Sequence, residues 1–380
     1  MPVPGRLIHK PMQFKRHNQA HSRGSASRDL SSRDTLRGWI AGALGAMILL
    51  VGFGRQAAAQ DIHFSHIHAS PTVLNPAMTG LFDGDYRLIM NYKNQWRNTT
   101  ANYNTLHAGF DAKVTNLGGS GFLGMGLNVI ADRAGDLNYT NTSAMLTLST
   151  ARALNRDGDH FITVAIQAGM LHNYLDYSRL HVFDQEPLVQ AGAPGTANAW
   201  DASAGIGWFK RVVRDGMIYL GASAFHLGQP DMAMLGQTAE YNDQLARRWV
   251  FHGGGDIKLV DRYYLMPSFM IMEQSPHREI NTGTFLRYDW QEYKRGKGSS
   301  VFFGAWFRYF VRTDITSSYD ALILAARLDK NSMSYSFSYD VNMSSLATAT
   351  RGVGGPEISV IFRGSWYHKP TYRVDCPKNF

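Results

Sequence analysis

The 380-residue chain contains a single cysteine, Cys376. One thiol excludes an internal disulfide framework and a thiolate-based metal site. Charge is also sparse: Asp, Glu, Lys and Arg make up 18% of residues, below the usual quarter. No apolar run reaches the ~20 residues of a spanning helix, and the mean hydropathy of −0.25 excludes a polytopic helical membrane protein. It does not exclude a transmembrane β-barrel, whose strands are only half apolar. After Gln60 no helical periodicity persists beyond two turns, and no linker marks a second domain.

Basic charge is scarce too once its position is considered. The formal net charge is +8, but residues 1–59 hold nine Lys and Arg against two Asp and Glu. The remainder holds 38 − 9 = 29 basic and 30 − 2 = 28 acidic residues, a balance of +1. A nearly neutral body argues against nucleic acid as the partner. Within the leader, Arg33 and Arg37 precede a 15-residue apolar run, residues 39–53, and Ala57-Ala58-Ala59 follows. A charged start, a short apolar core and an Ala-x-Ala end describe a secretory signal peptide, with Gln60 as the first residue after cleavage. The alternative, an inner-membrane anchor, needs about 20 apolar residues.

Glycine is abundant, 37 residues, and aromatics reach 12%. Both suit a β protein with many turns. The stretch from Ser65 to Trp96 begins as a loop, because Ser70-Pro71 and Asn75-Pro76 force extended geometry before each proline. No helix can run through it. From Tyr86 the chain alternates as a first strand. Further strands are expected over residues 103–114, 122–131, 139–151, 161–170, 200–212, 217–226, 249–260, 263–272, 279–290, 301–311, 321–328, 333–341 and 358–366. Over 333–341, Met333, Tyr335, Phe337, Tyr339 and Val341 alternate with Ser334, Ser336, Ser338 and Asp340. Such period-2 patterning puts grease on one face and small polar groups on the other. Pro187, Gly192, Pro194 and Gly195 predict a long loop over 181–199, and Gly228-Gln229-Pro230-Asp231 opens another ending near Arg247.

About fourteen strands of roughly 9–11 residues, bracketed by aromatics, predict an all-β fold: a transmembrane antiparallel up-and-down β-barrel. A soluble β-sandwich would alternate in the same way. The expected organisation is a leader and signal peptide over 1–59, a periplasmic or plug segment over 60–84, a barrel over 85–368 and a tail over 369–380. Arg308, Arg327 and Arg363 fall on polar-face positions that suit a lumen.

No catalytic, cofactor or metal site is expected. His63, His66 and His68 cluster, but no carboxylate or thiol has matching spacing for a metal. Asp132, Asp136 and Asp157 are available acids, yet no G-x-S-x-G elbow accompanies them. Gly118-Gly119-Ser120-Gly121 lacks the Lys and Ser/Thr of a phosphate loop and reads as a hairpin turn.

The opening stretch carries a family resemblance. Ala69-Ser70-Pro71, Leu74-Asn75-Pro76-Ala77, Gly80, Tyr86-Arg87, Asn91-Tyr92 and Asn94-Gln95-Trp96 resemble the start of a mature PorP/SprF-type protein of the type IX secretion system. Ala131-Asp132-Arg133-Ala134-Gly135, Phe183-Asp184-Gln185, His226-Leu227-Gly228-Gln229-Pro230, Gly304-Ala305-Trp306-Phe307-Arg308 and the closing Glu357-Ile358-Ser359 follow in the family's order. Histidines 66 and 68 depart from it, standing where Gln and aromatic residues are usual. The resemblance implies a 14-stranded barrel in the outer membrane of Bacteroidetes. It would be a non-enzymatic accessory for exporting or retaining secreted cargo, such as gliding adhesins. Its partners would be outer-membrane lipid, that cargo and periplasmic secretion components. The residues singled out for interaction are Ser70, Pro71, Asn75, Pro76, Gly80, Asn94, Gln95 and Trp96. A general porin is the alternative.

Overall fold

The computed structural model describes residues 61–366 apart from 62–63, 96–101, 118–120, 136, 177–194, 213–215, 235–243, 295–296, 313–314 and 345–353. The leader, the closing tail with Cys376, His63, Trp96 and Asp136 therefore lie outside the described residues. Fourteen strands follow in chain order: β1 (Tyr86–Gln95), β2 (Tyr103–Asn116), β3 (Gly121–Ala134), β4 (Tyr139–Ala153), β5 (His160–Leu175), β6 (Gly195–Val212) and β7 (Gly216–Phe225). The second half is β8 (Arg248–Val260), β9 (Tyr263–Gln274), β10 (His277–Lys294), β11 (Lys297–Arg312), β12 (Ile315–Lys330), β13 (Met333–Asn342) and β14 (Gly355–Gly364). Each pairs antiparallel with the next, and β1 pairs with β14 to close the barrel. Among the described residues no helix is long and apolar enough to cross a membrane.

Alternation along the strands sorts side chains to two surfaces. Leu88, Met90, Leu146, Ile166, Phe337 and Ile358 are exposed on the outside. Their neighbours Arg87, Asn91, Thr147, Gln167, Ser336 and Glu357 are buried inside. This inverts a soluble protein. An apolar exterior belongs against hydrocarbon, and closure leaves no unpaired backbone edge there. Tyr92, Trp200, Trp249, Tyr263, Trp290, Tyr319 and Trp366 add exposed rings toward the strand ends, as aromatic girdles require. Arg308, Arg327 and Arg363 point inward and are buried, as their polar-face positions predict.

The two ends of the barrel differ. One carries Tyr86, Gly364 and the short connections 117–120, 154–159, 213–215, 261–262, 295–296 and 331–332. The other carries 96–102, 135–138, 275–276 and 313–314 together with the three long ones, 176–194, 226–247 and 343–354. Outer-membrane barrels keep short turns on the periplasmic side and long loops outside. Strand lengths run from 10 residues in β1, what a bilayer crossing demands, to 18 in β6, well beyond it. The loop expected over 181–199 is displaced to 176–194, since β6 begins at Gly195. The partner decides this: β5 continues to Leu175, which pairs with Gly195, and pairing outweighs the local turn preference of Pro194-Gly195.

Depth in the bilayer sets the cost of a charge on the outer face. Ile166, 67% exposed near the middle of β5, replaced by Arg should destabilise the barrel by about 2–4 kcal/mol. Thr196→Arg, at the outer end of β6, should cost only about 0–1 kcal/mol. Urea unfolding midpoints in lipid vesicles check the contrast; equal losses would contradict the assigned membrane face.

Candidate functional site

The segment ahead of β1 occupies the lumen. Ser70 and Asn75 are non-helical, but each following proline starts a turn, since proline fits the first helical position where its missing N–H is not needed. Pro71–Leu74 forms a single α-helical turn, α1, and Pro76–Met78 a 3-10 turn. The Asn75 side chain accepts the Ala77 N–H at 2.9 Å, capping the second turn. No helix runs through the segment, as expected, yet both prolines initiate one. Gly80 then turns the chain with φ +79°, and a Cβ there would lie 2.6 Å from the Phe122 ring. Only glycine adopts that backbone without strain.

Successive residues of this segment bond to different strands around the wall. At the long-loop end, the Asp61 N–H donates to Gln274 Oε1 at 2.8 Å. The Asp61 carboxylate meets His226 at 2.5 Å and Arg248 at 3.1 Å. The Ser65 N–H donates to Glu357 (2.8 Å) and its hydroxyl to Asp340 (2.6 Å), with Arg308 completing the group 2.8 Å from Asp340. Halfway down, Ser70 Oγ accepts from Asn91 and lies 3.1 Å from His107, while Thr72 donates to Asn128 at 2.7 Å. Asn75 Nδ2 donates to the Ile206 carbonyl at 3.0 Å and lies 3.0 Å from His252 Nε2. Ser223 and Ser149 donate to the carbonyls of Leu74 and Thr79. At the short-turn end, Asp111 accepts from the Gly80 N–H (2.7 Å) and from Arg87 (2.9 Å), and Arg87 also donates to the Met78 carbonyl.

These bonds supply what the bare wall lacks. A buried polar or ionised side chain without a partner costs about 1–3 kcal/mol or more. The inward faces of β2, β13 and β14 carry Asp111, Asp340 and Glu357, all within 3% of full burial. Backbone N–H groups of Ser65 and Gly80 meet two of them. Apolar contacts add to this: Met78 and Leu81 join Phe122, Phe161, Phe209 and Tyr219 in one cluster, and Ile67 joins Phe225, Val250 and Met270 in another.

Of the residues singled out from sequence, Ser70, Pro71, Asn75, Pro76 and Gly80 are all buried along this line. Asn94 and Gln95 lie elsewhere, at the outer end of β1, where Asn94 donates to Asn102 at 3.0 Å. Trp96 is outside the described residues. His66 and His68 pack on Phe285 and Trp306, with ring centroids 5.2 to 6.4 Å apart. No group of three potential metal ligands occurs among the described residues. Sequence reasoning missed the wall partners Arg87, Asp111, His252 and Gly205. A signal for the last was present: isolated glycine within a strand marks close backbone approach, and Gly205 leaves no room for a Cβ beside the Asn75 amide.

Two predictions follow from this geometry. Removing one partner of the buried Arg87–Asp111 pair, as in Asp111→Ala, should cost about 3–5 kcal/mol. The urea midpoint of the heat-modifiable form reads it, and Arg87→Met with Asp111→Leu should recover much of the loss. The second concerns pH. Burial opposes a charged His226, but the Asp61 charge and hydrogen bonds to Asp201 and Asp61 outweigh it and raise its pKa to about 9. Burial likewise opposes the Asp61 charge, and His226 and Arg248 overcome it, holding the carboxyl well below its usual range. Stability from His226 is thus complete below about pH 6.5, the free imidazole value, and is lost as pH rises toward 9. Stability from Asp61 is present above about pH 4 and is lost in stronger acid. Hydrogen exchange of the Asp61 amide should therefore be slowest between about pH 4 and 6.5 after correction for intrinsic rates. His226→Gln should flatten the alkaline limb.

Among curated proteins none matches. Solved structures that resemble this chain include CymD, a monoaromatic hydrocarbon channel (12% identity, TM-score 0.43, covering 82% of this chain and 96% of that one). The Ralstonia pickettii toluene transporter TbuX aligns with 12% identity and TM-score 0.44 over 82% of this chain and 97% of its own. A Pseudomonas aeruginosa FadL homologue aligns with 10% identity and TM-score 0.40 over 82% and 96%. The family model of the type IX secretion system membrane protein PorP/SprF matches residues 56–362. That match spans nearly the whole barrel and its lumen segment, and the chain belongs to this family of outer-membrane type IX secretion proteins.

Proposed function

We propose that the protein is a non-enzymatic docking component of type IX secretion, which helps to export cargo or retain it at the cell surface. Secreted adhesins of the gliding type are the expected cargo, and periplasmic secretion components the expected partners on the other face. The observation that carries this reading is the filled lumen. A segment hydrogen-bonded to strands around the wall, from Ser65 at Glu357 to Gly80 at Asp111, supports a rigid frame over a conduit. Of the two roles expected for the segment, plug and periplasmic contact, this geometry supports the plug. What the frame presents is its two ends: short turns inward and the connections 176–194 and 226–247 outward. Binding surfaces held on rigid scaffolds lose little entropy on engagement.

The diffusion-porin alternative predicts steady conductance that needs no secretion partner. A barrel packed with its own chain should show none in planar bilayers. Deleting residues 62–83 should leave a heat-modifiable barrel in the outer membrane, open a conductance and abolish cargo at the surface. Unchanged export in that strain would remove the docking reading. Pull-down of the intact protein from outer membranes should bring an adhesin or a periplasmic secretion component with it.

A further inference from the structure

A cavity remains between the lumen segment and the wall of β3 to β7. Its empty space, counted to the opening, is about 660 Å³, within the range of small-molecule sites. Thr72 and Val73 border it on the segment side. Asp61, His226 and Arg248 border it at the end that carries the long connections, which faces the exterior in outer-membrane barrels. Charge within it balances. Asp61 and Asp201 are carboxylates, and Arg248 is a cation. His226 lies 2.5 Å from Asp61 and 2.8 Å from Asp201, one carboxylate at each ring nitrogen, so both nitrogens carry protons. Among the described residues the lining holds no other ionisable side chain. Two negative and two positive groups give an ion of either sign no net attraction.

The wall offers hydrogen bonds instead. Asn141 and Ser143 on β4, Gln167 on β5 and Ser203 on β6 line the cavity, and Met145, Leu171 and Phe225 add apolar surface. Gln167 gives its amide N–H to Thr147 at 2.8 Å, which leaves its carbonyl oxygen for a ligand. Two polar atoms of the lining residues, Asp201 Oδ1 and the Ser203 hydroxyl, are buried without a partner among the described residues. They belong to residues two apart on β6, so they share one face. A carboxylate oxygen only accepts, while a hydroxyl both donates and accepts. A hydrocarbon there would leave both atoms unpaired, which is costly. A ligand with several O–H groups around an apolar ring body matches the polar and the apolar lining together. We propose that the cavity binds a neutral pyranose sugar from the cell exterior. Asp201 Oδ1 accepts one sugar O–H, Ser203 and the Gln167 carbonyl bond further hydroxyls, and the ring C–H groups rest on Leu171 and Phe225. The site does not rest on the docking reading and needs no cargo.

The test uses the full chain purified from outer membranes in a detergent without sugar headgroups. Saturation-transfer NMR and calorimetry are run with the methyl glycosides of glucose, galactose, mannose and N-acetylglucosamine, and with toluene, tetramethylammonium and acetate. At least one glycoside should bind saturably, and none of the other three compounds should displace it. Ser203→Ala should weaken that binding about three- to tenfold. It should leave the urea midpoint of the unliganded barrel equal or higher, since the hydroxyl it removes has no partner in the folded protein. Val73→Phe narrows the cavity from the segment side and should abolish binding in a barrel that is still heat-modifiable. Absence of saturable binding by all four glycosides up to about 50 mM would overturn the site. So would unchanged affinity in both variants, or binding of toluene or an ion in place of the sugar. An oligosaccharide ending in the preferred pyranose separates two sources of the same chemistry. Equal affinity assigns the end of a glycan chain, and lost affinity assigns a free sugar; both support the site.

Discussion

Hydrocarbon cannot hydrogen-bond a peptide group, and the rest of this structure depends on that constraint. Every N–H and C=O at membrane depth must find a partner within the protein. The chain meets the requirement by pairing each strand with the next and returning β14 to β1. Alternation does the rest. With period two, an apolar outer face dictates an independent inner face, and here the inner face is polar and charged.

A polar inner face would ordinarily be satisfied by water. In this barrel much of it is satisfied by the chain itself. Residues 61–85 supply backbone N–H groups to Asp111 and Glu357, hydroxyls to Asp340 and Asn128, and an amide to the wall of β6. The segment suits this role because its prolines prevent a continuous helix. Two short turns and extended links keep backbone groups free to face outward, toward the strands. Where the wall must come close, it carries glycine, as at Gly205 beside Asn75 and at Gly124 beside Thr79.

Charge placement follows the same logic. Buried ion pairs contribute little net stability, but breaking one is costly. A segment pinned through Arg87–Asp111 at one end and Asp61–His226–Arg248 at the other is therefore specified in position more than it is strengthened.

Fold class and family were legible in the residues alone. Period-2 alternation, as in Met333 to Val341, is a local property set by which solvent each face meets, so it can be read without contacts. The ordered motifs from Ala69 onward are likewise written in the residues themselves. Strand ends were less so: β6 starts at Gly195 because β5 reaches Leu175, and a partner's length is not written in a strand's own residues. Where the Ser70–Gly80 motif goes, and which way it runs, emerges with the closed barrel. Asn75 meets Ile206 and His252 across more than a hundred residues of chain. Such contacts exist only after closure brings distant strands to face one lumen, so no local pattern records them.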